Sequence, residues 1–320
     1  MDSSDLNGII NVLKPPGMTS HDVISFLRRT LKIRKAGHTG TLDPGVAGVL
    51  AVCLGKATKA IEYMEDGIKH YRAEVSFGRT TDTQDSFGHT VKVYDASLIT
   101  EGQAKNAILS WRGKHLQMPP MVSAVKHKGK KLYELAREGK EVPRCPRPVE
   151  IYEINIIRFR GFGTPNPSVL FDLTCSRGTY VRTLCHDTGE VLGCGGYMSF
   201  LVRTGTGNLD ISDSLMLEEI LEKTENGNIR DCIIPVHRAI PFAEIWVKDK
   251  SVNSVCHGNR IPVSETEGKP DSLEKNQKVK LMNRGSGCLA IARVVHNSPS
   301  DCLSIENNST IMFQPIKVLC

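Results

Sequence analysis

A single carboxylate, Asp43, stands in a glycine-rich segment that reads Gly-His-Thr-Gly-Thr-Leu-Asp-Pro-Gly-Val-Ala-Gly-Val-Leu over residues 37–50. The glycines permit positive φ angles and a close approach of backbone, and Pro44 fixes the conformation of the residue that follows the acid. A carboxylate held in this way is suited to act as a nucleophile or to clamp a ligand. An ordinary Asp-Pro turn is the alternative that this motif alone leaves open.

Two other residues could serve that carboxylate, Tyr71 and Arg182. Arg182 stands in the first turn of a predicted helix, where the partial positive charge of the helix end disfavours a cation unless an anion lies nearby. The guanidinium can pair with Asp43 and keep it ionised if their two strands are neighbours, although a solvent-facing arginine remains the alternative. Tyr71 alternates with polar residues in a predicted strand and should face the core side. A charge pair under an aromatic surface suits a flat, uncharged ring extruded from a nucleic acid.

The sequence supports other chemistry less well. Asp82 and Asp85 could supply the second acid of a glycosidase, but they stand in a polar run where aspartate commonly bonds to turn backbone. Residues 55–58 (Gly-Lys-Ala-Thr) lack the earlier glycine of a Walker loop, so ATP is not implied. The ten cysteines occur singly, without Cys-x-x-Cys pairs or a matching histidine spacing. Neither a disulfide framework nor a zinc site is therefore indicated.

Positive charge is concentrated in two segments. The formal net charge is only +6 over 320 residues, yet five basic residues lie within 28–35 and a second basic group lies within 126–131. Both groups could neutralise phosphates, which points to a nucleic-acid partner, and a solvated helix face is the alternative for the first group. No apolar run reaches the length of a membrane span, so we expect a cytoplasmic protein without a membrane partner.

Hydrophobic periodicity places strands and helices around these residues. Strand patterns cover about 8–13, 49–54, 71–77 and 169–175, and helical patterns cover about 20–33, 55–64, 101–112, 131–138 and 179–193. Strands and helices alternate too irregularly for a doubly wound parallel sheet. We therefore predict an α+β fold with a mixed or antiparallel central sheet flanked by helices.

We expect two domains, because 320 residues is long for a single core. The pattern changes to short strands near 245–247, 279–282, 288–295 and 311–318. Residues 1–240 would form the main domain, and residues 241–320 would form a small β-rich module. Residues 118–148 are rich in proline and basic residues around one short helix, and we predict that this segment is an insertion in the main domain.

Several short motifs, in one order and at particular separations, resemble those of the bacterial TruB-type tRNA pseudouridine-55 synthases. The resemblance covers nearly all of residues 8–205. Its motifs are Lys-Pro-Pro-Gly-Met-Thr-Ser (14–20), Gly-His-Thr-Gly-Thr-Leu-Asp-Pro (37–44), Gly-Lys-Ala-Thr-Lys (55–59), Tyr71, Arg-Thr-Thr-Asp-Thr-Gln-Asp (79–85), Ser-Ala-Val-Lys (123–126), Gly-Lys-Lys-Leu-Tyr-Glu (129–134) and Arg-Gly-Thr-Tyr-Val-Arg (177–182). Related guide-RNA enzymes share the aspartate loop, but the short chain and the insertion resemble the bacterial group.

The resemblance implies the pseudouridine synthase fold, with a PUA-like RNA-binding β-barrel at 241–320. It also implies an isomerase that converts one uridine (U55) in the T-loop of tRNA to pseudouridine. Asp43 would be the nucleophile that forms a covalent adduct with the target nucleoside, and the uracil would turn before a carbon–carbon bond forms. Tyr71 would stack on the target base and assist proton removal, and Arg182 would pair with Asp43. No metal or organic cofactor is implied.

The resemblance further implies a set of substrate-binding residues: His38, Lys59, Asp85, Lys126, Lys130, Tyr180, Leu201 and Arg203. His38 would stack where bases leave the T-loop, Leu201 would line the pocket, and the insertion would close as a thumb on the T-arm. The partner would be the T-arm of tRNA. The protein would act as a monomer without an obligatory protein partner.

Two positions depart from the family pattern. Val122 stands where a tyrosine is frequent, and Gly45 stands where a larger residue is usual. Two other functions remain open: a non-catalytic module that binds or folds tRNA with the same surface, and hydrolytic removal of a base. The atom that Asp43 attacks, the sugar C1′ or the uracil ring, is also open, since both need the same carboxylate.

Overall fold

The larger part of the protein is built on one mixed sheet. The computed structural model describes residues 6–64, 67–123, 125–268, 273–296 and 311–320. The strands of this part, in chain order, are β1 (Gly8–Lys14), β2 (Ala36–His38), β3 (Ala47–Leu54), β4 (Lys69–Phe77), β5 (Arg79–Thr81), β6 (Thr90–Val93), β7 (Gly113–Gln117), β8 (Lys126–His127), β9 (Lys130–Lys131), β10 (Arg147–Arg160), β11 (Ser168–Cys175), β12 (Gly196–Thr206) and β13 (Leu209–Asp210). Strands β5 and β6 form one separate hairpin and β8 and β9 form another, whereas the other nine strands form the sheet.

The order of the sheet is β1-β3-β12-β4-β11-β10-β7, with β2 on β3 and β13 on β12. All of these pairs are antiparallel except β12 with β3, which pair in parallel through Val202 and Arg203. The sheet is therefore mixed, as predicted. Strand β12 joins the strand after Asp43 to the strand that carries Tyr71, so those two residues lie on near neighbours.

Helices pack on this sheet and on the C-terminal strands described below. In chain order they are α1 (Ser20–Thr30), α2 (Ile61–Met64), α3 (Glu101–Leu109), α4 (Leu132–Arg137), α5 (Val181–Val191), α6 (Leu217–Glu225), α7 (Val236–Ala239) and α8 (Val252–Cys256). Helix α1 begins with a capping box, because the Thr19 hydroxyl accepts from the Asp22 backbone N–H (3.0 Å) and the Asp22 carboxylate accepts from the Thr19 N–H (2.8 Å). The predicted helix at 55–64 is instead a 3-10 turn (Gly55–Ala60) followed by α2.

A second sheet of five strands forms the C-terminal part. Its strands are β14 (Ala243–Trp246), β15 (Ile261–Pro262), β16 (Lys278–Asn283), β17 (Gly287–His296) and β18 (Ile311–Val318), in the order β14-β16-β17-β18-β15. It packs on the larger part through α2, where Lys317 Nζ lies 2.6 Å from Glu62 Oε1. The fold-class prediction, a mixed sheet with helices and a small C-terminal β module, is confirmed.

A disulfide between Cys256 and Cys320 joins α8 to the residues after β18. The sequence analysis did not predict this bond, because the two cysteines are far apart in the chain and neither belongs to a recognisable pair. The other cysteines of the described residues are free thiols, so this single bond does not make a disulfide framework. Within the described ranges, no helix has both the length and the apolar character that a membrane crossing requires.

Candidate active site

The backbone around Asp43 is held from two sides. We call residues 39–46, between β2 and β3, the Asp43 loop. On one side, the buried Lys14 Nζ donates to the carbonyl oxygens of Pro44 (3.1 Å) and Val46 (2.8 Å). On the other, Arg203 donates through Nη2 to the carbonyl of Gly40 (3.1 Å). The loop carrying the carboxylate is thus fixed by two buried cations that bond to its backbone.

The Asp43 side chain belongs to an ionic group of three residues. Arg182 Nη1 lies 2.9 Å from Asp43 Oδ2 and 3.6 Å from Asp85 Oδ2. The Arg182 side chain is only 4% exposed and that of Asp85 only 9%, whereas the Asp43 side chain is 42% exposed. The structure therefore brings together the carboxylate and arginine that the sequence paired. Among the three, Asp43 is the group that an incoming molecule can reach.

Burial and the neighbouring charges shift the pKa of Asp43 in opposite directions. Desolvation raises the pKa of the Asp43 carboxyl above its ordinary value, the Arg182 guanidinium opposes the rise, and the charge on Asp85 adds to it. The arginine keeps the carboxylate ionised, and the partial desolvation increases its reactivity as a nucleophile. Lys14 contributes a further, smaller opposing charge.

Tyr71, on β4, lines the same cavity as Asp43. This cavity has a volume of about 100 Å³, and its walls include Leu42, Asp43, Tyr71, Tyr180, Arg182 and Leu201. Burial raises the pKa of the Tyr71 phenol above 10.0, although Arg203 opposes the rise. The phenol is therefore protonated at neutral pH. As predicted, Tyr71 packs on the core side of the sheet together with Ala73 and Val75.

Tyr180 lines the cavity, and the insertion contacts the neighbouring Arg182. The Tyr180 backbone N–H donates to Gln117 Oε1 (2.8 Å), and its ring centroid lies 5.8 Å from the Arg182 guanidinium carbon. Arg182 Nη2 also donates to the backbone carbonyl of Val122. The insertion, the segment 118–148, thus contacts through Val122 the arginine that pairs with Asp43.

Three predicted substrate-binding residues have other contacts in the structure. Arg203 is 3% exposed and donates to the carbonyls of Val49 in β3 and Gly40 in the Asp43 loop, so it holds that loop to β3. Asp85 is buried and holds Arg182. Lys59 Nζ donates to the carbonyl of Val318 (3.0 Å), which links the 3-10 turn to β18. The sequence could not show these contacts, because each joins segments that are distant in the chain.

The remaining predicted residues lie around the cavity or on the insertion. His38, on β2, accepts from the Gly40 N–H through Nδ1 (3.3 Å), and burial lowers the pKa of its imidazole. Lys130 lies on the β8–β9 hairpin, with Nζ 3.4 Å from Glu138 Oε1. Lys126 lies on the same hairpin, but its side chain is outside the described residues.

Sequence reasoning missed Lys14 as a functional residue. It occurs at the start of the first resembling motif, yet a lysine at the end of an apolar strand gave no sign of being completely buried. The signal that could have found it is that position in the motif. In the described part of the chain, no cluster of three or more His, Cys, Asp or Glu side chains is arranged to hold a metal ion.

Comparison with known families assigns most of the chain. Residues 28–181 match the N-terminal domain of the TruB family of pseudouridylate synthases. Residues 182–240 match the C-terminal domain of tRNA pseudouridylate synthase B. The chain belongs to the TruB family. The predicted enzyme class, a pseudouridine synthase, is confirmed.

Curated relatives in the TruB family align over most of the chain or nearly all of it. The tRNA pseudouridine synthase B of Pelotomaculum thermopropionicum is 45% identical over 315 residues, which cover 98% of this chain and 97% of the relative. That of Symbiobacterium thermophilum is 53% identical over 257 residues, covering 80% of this chain and 83% of the relative. The resemblance seen in the motifs therefore extends beyond them.

Solved structures share the fold of this TruB-family chain. An H/ACA RNP bound to a substrate RNA containing 2′-deoxyuridine matches with a TM-score of 0.74 and 25% identity, over 98% of this chain and 86% of that chain. The archaeal box H/ACA sRNP Nop10-Cbf5 complex matches with a TM-score of 0.73 and 27% identity, again over 98% of this chain and 86% of that chain. Because these matches cover nearly all of the chain, the shared fold includes the C-terminal sheet.

Proposed function

We propose that this protein converts one uridine in the T-loop of tRNA, U55, to pseudouridine, with Asp43 as the nucleophile. The observation that carries the proposal is the 2.9 Å pair between Asp43 and Arg182, in a cavity that Tyr71 also lines. Family membership supplies the reaction class. The exposed carboxylate, fixed by its loop and neutralised by a buried guanidinium, supplies a group that can perform the reaction.

The reaction needs one nucleophile and no change in composition. The carboxylate of Asp43 attacks either C1′ of the ribose or the uracil ring, and the bond between N1 and C1′ breaks. The uracil turns while it stays in the cavity, and C5 then bonds to C1′. The proton leaves C5, N1 takes up a proton, and release of Asp43 gives the isomer. Arg182 keeps the carboxylate charged at the first step and receives it again at the last.

Tyr71 is the surface on which the target base stacks. Its ring lines the cavity, and an extruded base is held by stacking between aromatic and apolar side chains. Removal of the C5 proton by Tyr71 would need a phenolate, which the raised pKa of the phenol disfavours at neutral pH. The chemistry of Tyr71 therefore supports stacking more strongly than a role as general base.

The basic segments are positioned to bind the T-arm. Exposed basic residues within 28–35 lie in the last turn of α1 and in the segment that follows it, before the Asp43 loop, and they would bind phosphates of the RNA. The β8–β9 hairpin and α4 place a second basic group on the insertion, whose first residues contact Arg182. We propose that this insertion acts as a thumb on the T-arm and that the protein acts as a cytoplasmic monomer, without an obligatory protein partner.

The test uses an unmodified tRNA transcript and a matched pair of variants. Asp43 and Asp172 have similarly exposed carboxylates, 42% and 39%, and each pairs with an arginine, but Asp172 pairs with Arg72 on the sheet surface. Carbodiimide labelling detects pseudouridine. We expect product from the native protein and from Asp172→Asn but none from Asp43→Asn, which should still bind tRNA within a few-fold of the native affinity.

Other results would each support a different function. Full conversion by Asp43→Asn would refute the nucleophile. Free uracil in the reaction mixture would show base hydrolysis, since isomerisation releases none. If the native protein makes no pseudouridine but still binds and refolds tRNA, the non-catalytic alternative is correct. A transcript in which the T-loop uridine is replaced by cytidine should give no product, and labelling elsewhere would contradict the T-loop assignment.

A further inference from the structure

An exposed aromatic ring lies beside the nucleophile. Phe87 is 71% exposed, and it belongs to the turn that joins β5 to β6. Single exposed apolar side chains are common on protein surfaces, so what distinguishes Phe87 is its place beside the Asp43 loop, where an aromatic ring can stack on a base. The mechanism described above makes no use of this residue.

The turn that carries Phe87 is internally fixed. The Phe87 N–H donates to Asp85 Oδ1 (3.0 Å), which also accepts from the Thr83 hydroxyl (2.6 Å). A second hydrogen bond closes the turn, because the His89 N–H donates to Asp82 Oδ1 (2.9 Å). The other oxygen of Asp85 faces Arg182. Phe87 is therefore attached, through one buried carboxylate, to the arginine that holds the nucleophile.

The ring of Phe87 lies directly against Gly45, two residues after Asp43. A Cβ at position 45 would lie 2.1 Å from Cε2 and 2.3 Å from Cζ of the ring, distances that no side chain can occupy. Gly45 does not adopt a left-handed backbone conformation, so its backbone is open to any residue. The absence of a side chain at position 45 serves to admit the phenyl ring, and this explains the departure at Gly45 seen in the sequence.

We propose that Phe87 is a stacking platform for a nucleobase adjacent to the target uridine, and that Gly45 is the position that makes room for its ring. This inference rests on the proposed function, because it requires RNA in the cavity. Sequence-specific recognition of RNA uses unstacked loop bases that stack on aromatic side chains. A nucleotide whose base reaches Asp43 leaves its chain neighbours at the rim of the Asp43 loop, where the exposed face of Phe87 lies.

The first experiment measures kcat and KM separately on a T-arm RNA hairpin. Phe87→Ala should raise KM, and the dissociation constant for the RNA, by between about fivefold and about a hundredfold, the range for the loss of one base–aromatic stack. The kcat at saturating RNA should stay within about twofold. Phe87→Trp should restore the native KM, and Phe87→Leu should not. Val93→Ala, an exposed apolar residue on the same hairpin, is the control and should change nothing.

The second experiment displaces the ring without removing it. Gly45→Ala forces the phenyl away from the loop, so its KM should rise about as much as that of Phe87→Ala. The double variant should be no worse than Phe87→Ala alone, since without the ring the added methyl group meets nothing that must move. Additive effects of the two substitutions would contradict a shared contact.

The outcomes separate this inference from the proposed function. If the native protein makes no pseudouridine in the T-loop, the proposed function fails. If it does, and Phe87→Ala has the native KM and affinity, only the stacking platform is refuted. A loss of kcat with unchanged KM would also refute it, because it would show that the ring supports the loop instead of binding RNA.

Discussion

Replacing Lys14 with methionine should destabilise the protein and loosen the Asp43 loop. Lys14 Nζ donates to the carbonyl oxygens of Pro15 (2.8 Å), Pro44 (3.1 Å) and Val46 (2.8 Å), and the side chain is fully buried. The Pro44 carbonyl retains a bond from the Gly17 N–H (2.9 Å), so two carbonyls lose a donor without this compensation. At about 1.5–3 kcal/mol for each bond from a charged donor, the loss is about 3–6 kcal/mol.

Part of this destabilisation is offset, because folding of the methionine variant does not require desolvation of an ammonium group. We therefore expect the free energy of unfolding in urea to fall by about 2–3 kcal/mol at pH 7. The kcat should fall at least about tenfold, since a misplacement of the nucleophile by about 1 Å has effects of that order or larger. Lys105→Met, at an exposed lysine on α3 outside both basic segments, is the matched control. Native stability and native kcat in Lys14→Met would refute the reasoning.

The same lysine predicts a pH dependence of stability. Burial lowers the pKa of Lys14 from 10.5 to about 8. Between these values the unfolded chain holds a proton that the folded protein has lost, so the contribution of Lys14 to stability rises with pH, by up to about 3 kcal/mol. Methionine has no such contribution. The destabilisation by Lys14→Met should therefore grow from pH 8 to pH 10, and a constant difference would contradict the assignment.

Three further predictions follow from the contacts of the site. The proposed nucleophile Asp43 must be ionised to react, and the charge on Asp85 raises the pKa of Asp43. Asp85→Asn should therefore move the acid limb of the pH profile of kcat/KM to lower pH, and an unchanged acid limb would contradict this. Arg203→Gln should lower kcat more than it changes KM in steady-state assays, since Arg203 holds the loop and not the substrate. Arg72→Ala breaks only a surface pair with Asp172, so urea denaturation should show a loss below about 1 kcal/mol.

The sequence predicted the elements that follow simple periodicity. Helix α1 and strands β3, β4 and β11 lie where apolar spacing placed them, within a few residues at their ends. Strands β10 and β12 were not predicted. Each contains two register shifts against a neighbouring strand, and such irregularities interrupt the alternation of inward and outward side chains. In β12 the inward-facing set also includes the buried Arg203, which a periodicity argument assigns to the solvent.

The candidate site was predictable where its residues belong to short motifs. Asp43, Tyr71 and Arg182 could be named from the sequence because each stands in a local pattern that implies restraint or an odd charge. The role of Asp85 could not be predicted, because an aspartate in a polar segment is interpreted as a turn residue unless its distance from Arg182 is known. The same holds for Phe87, whose significance comes from a contact with Gly45 across two loops.

Asp43 and its partner Arg182 are supplied by distant parts of the chain. Asp43 and Lys14 emerge early in synthesis, whereas Arg182 and Arg203 follow only after the insertion and strands β10 and β11 have been made. A nascent chain therefore carries Asp43 through the synthesis of residues 44–181 without the guanidinium that pairs with it in the folded protein. The ion pair between Asp43 and Arg182 therefore forms only when α5 has been made and packs on the sheet.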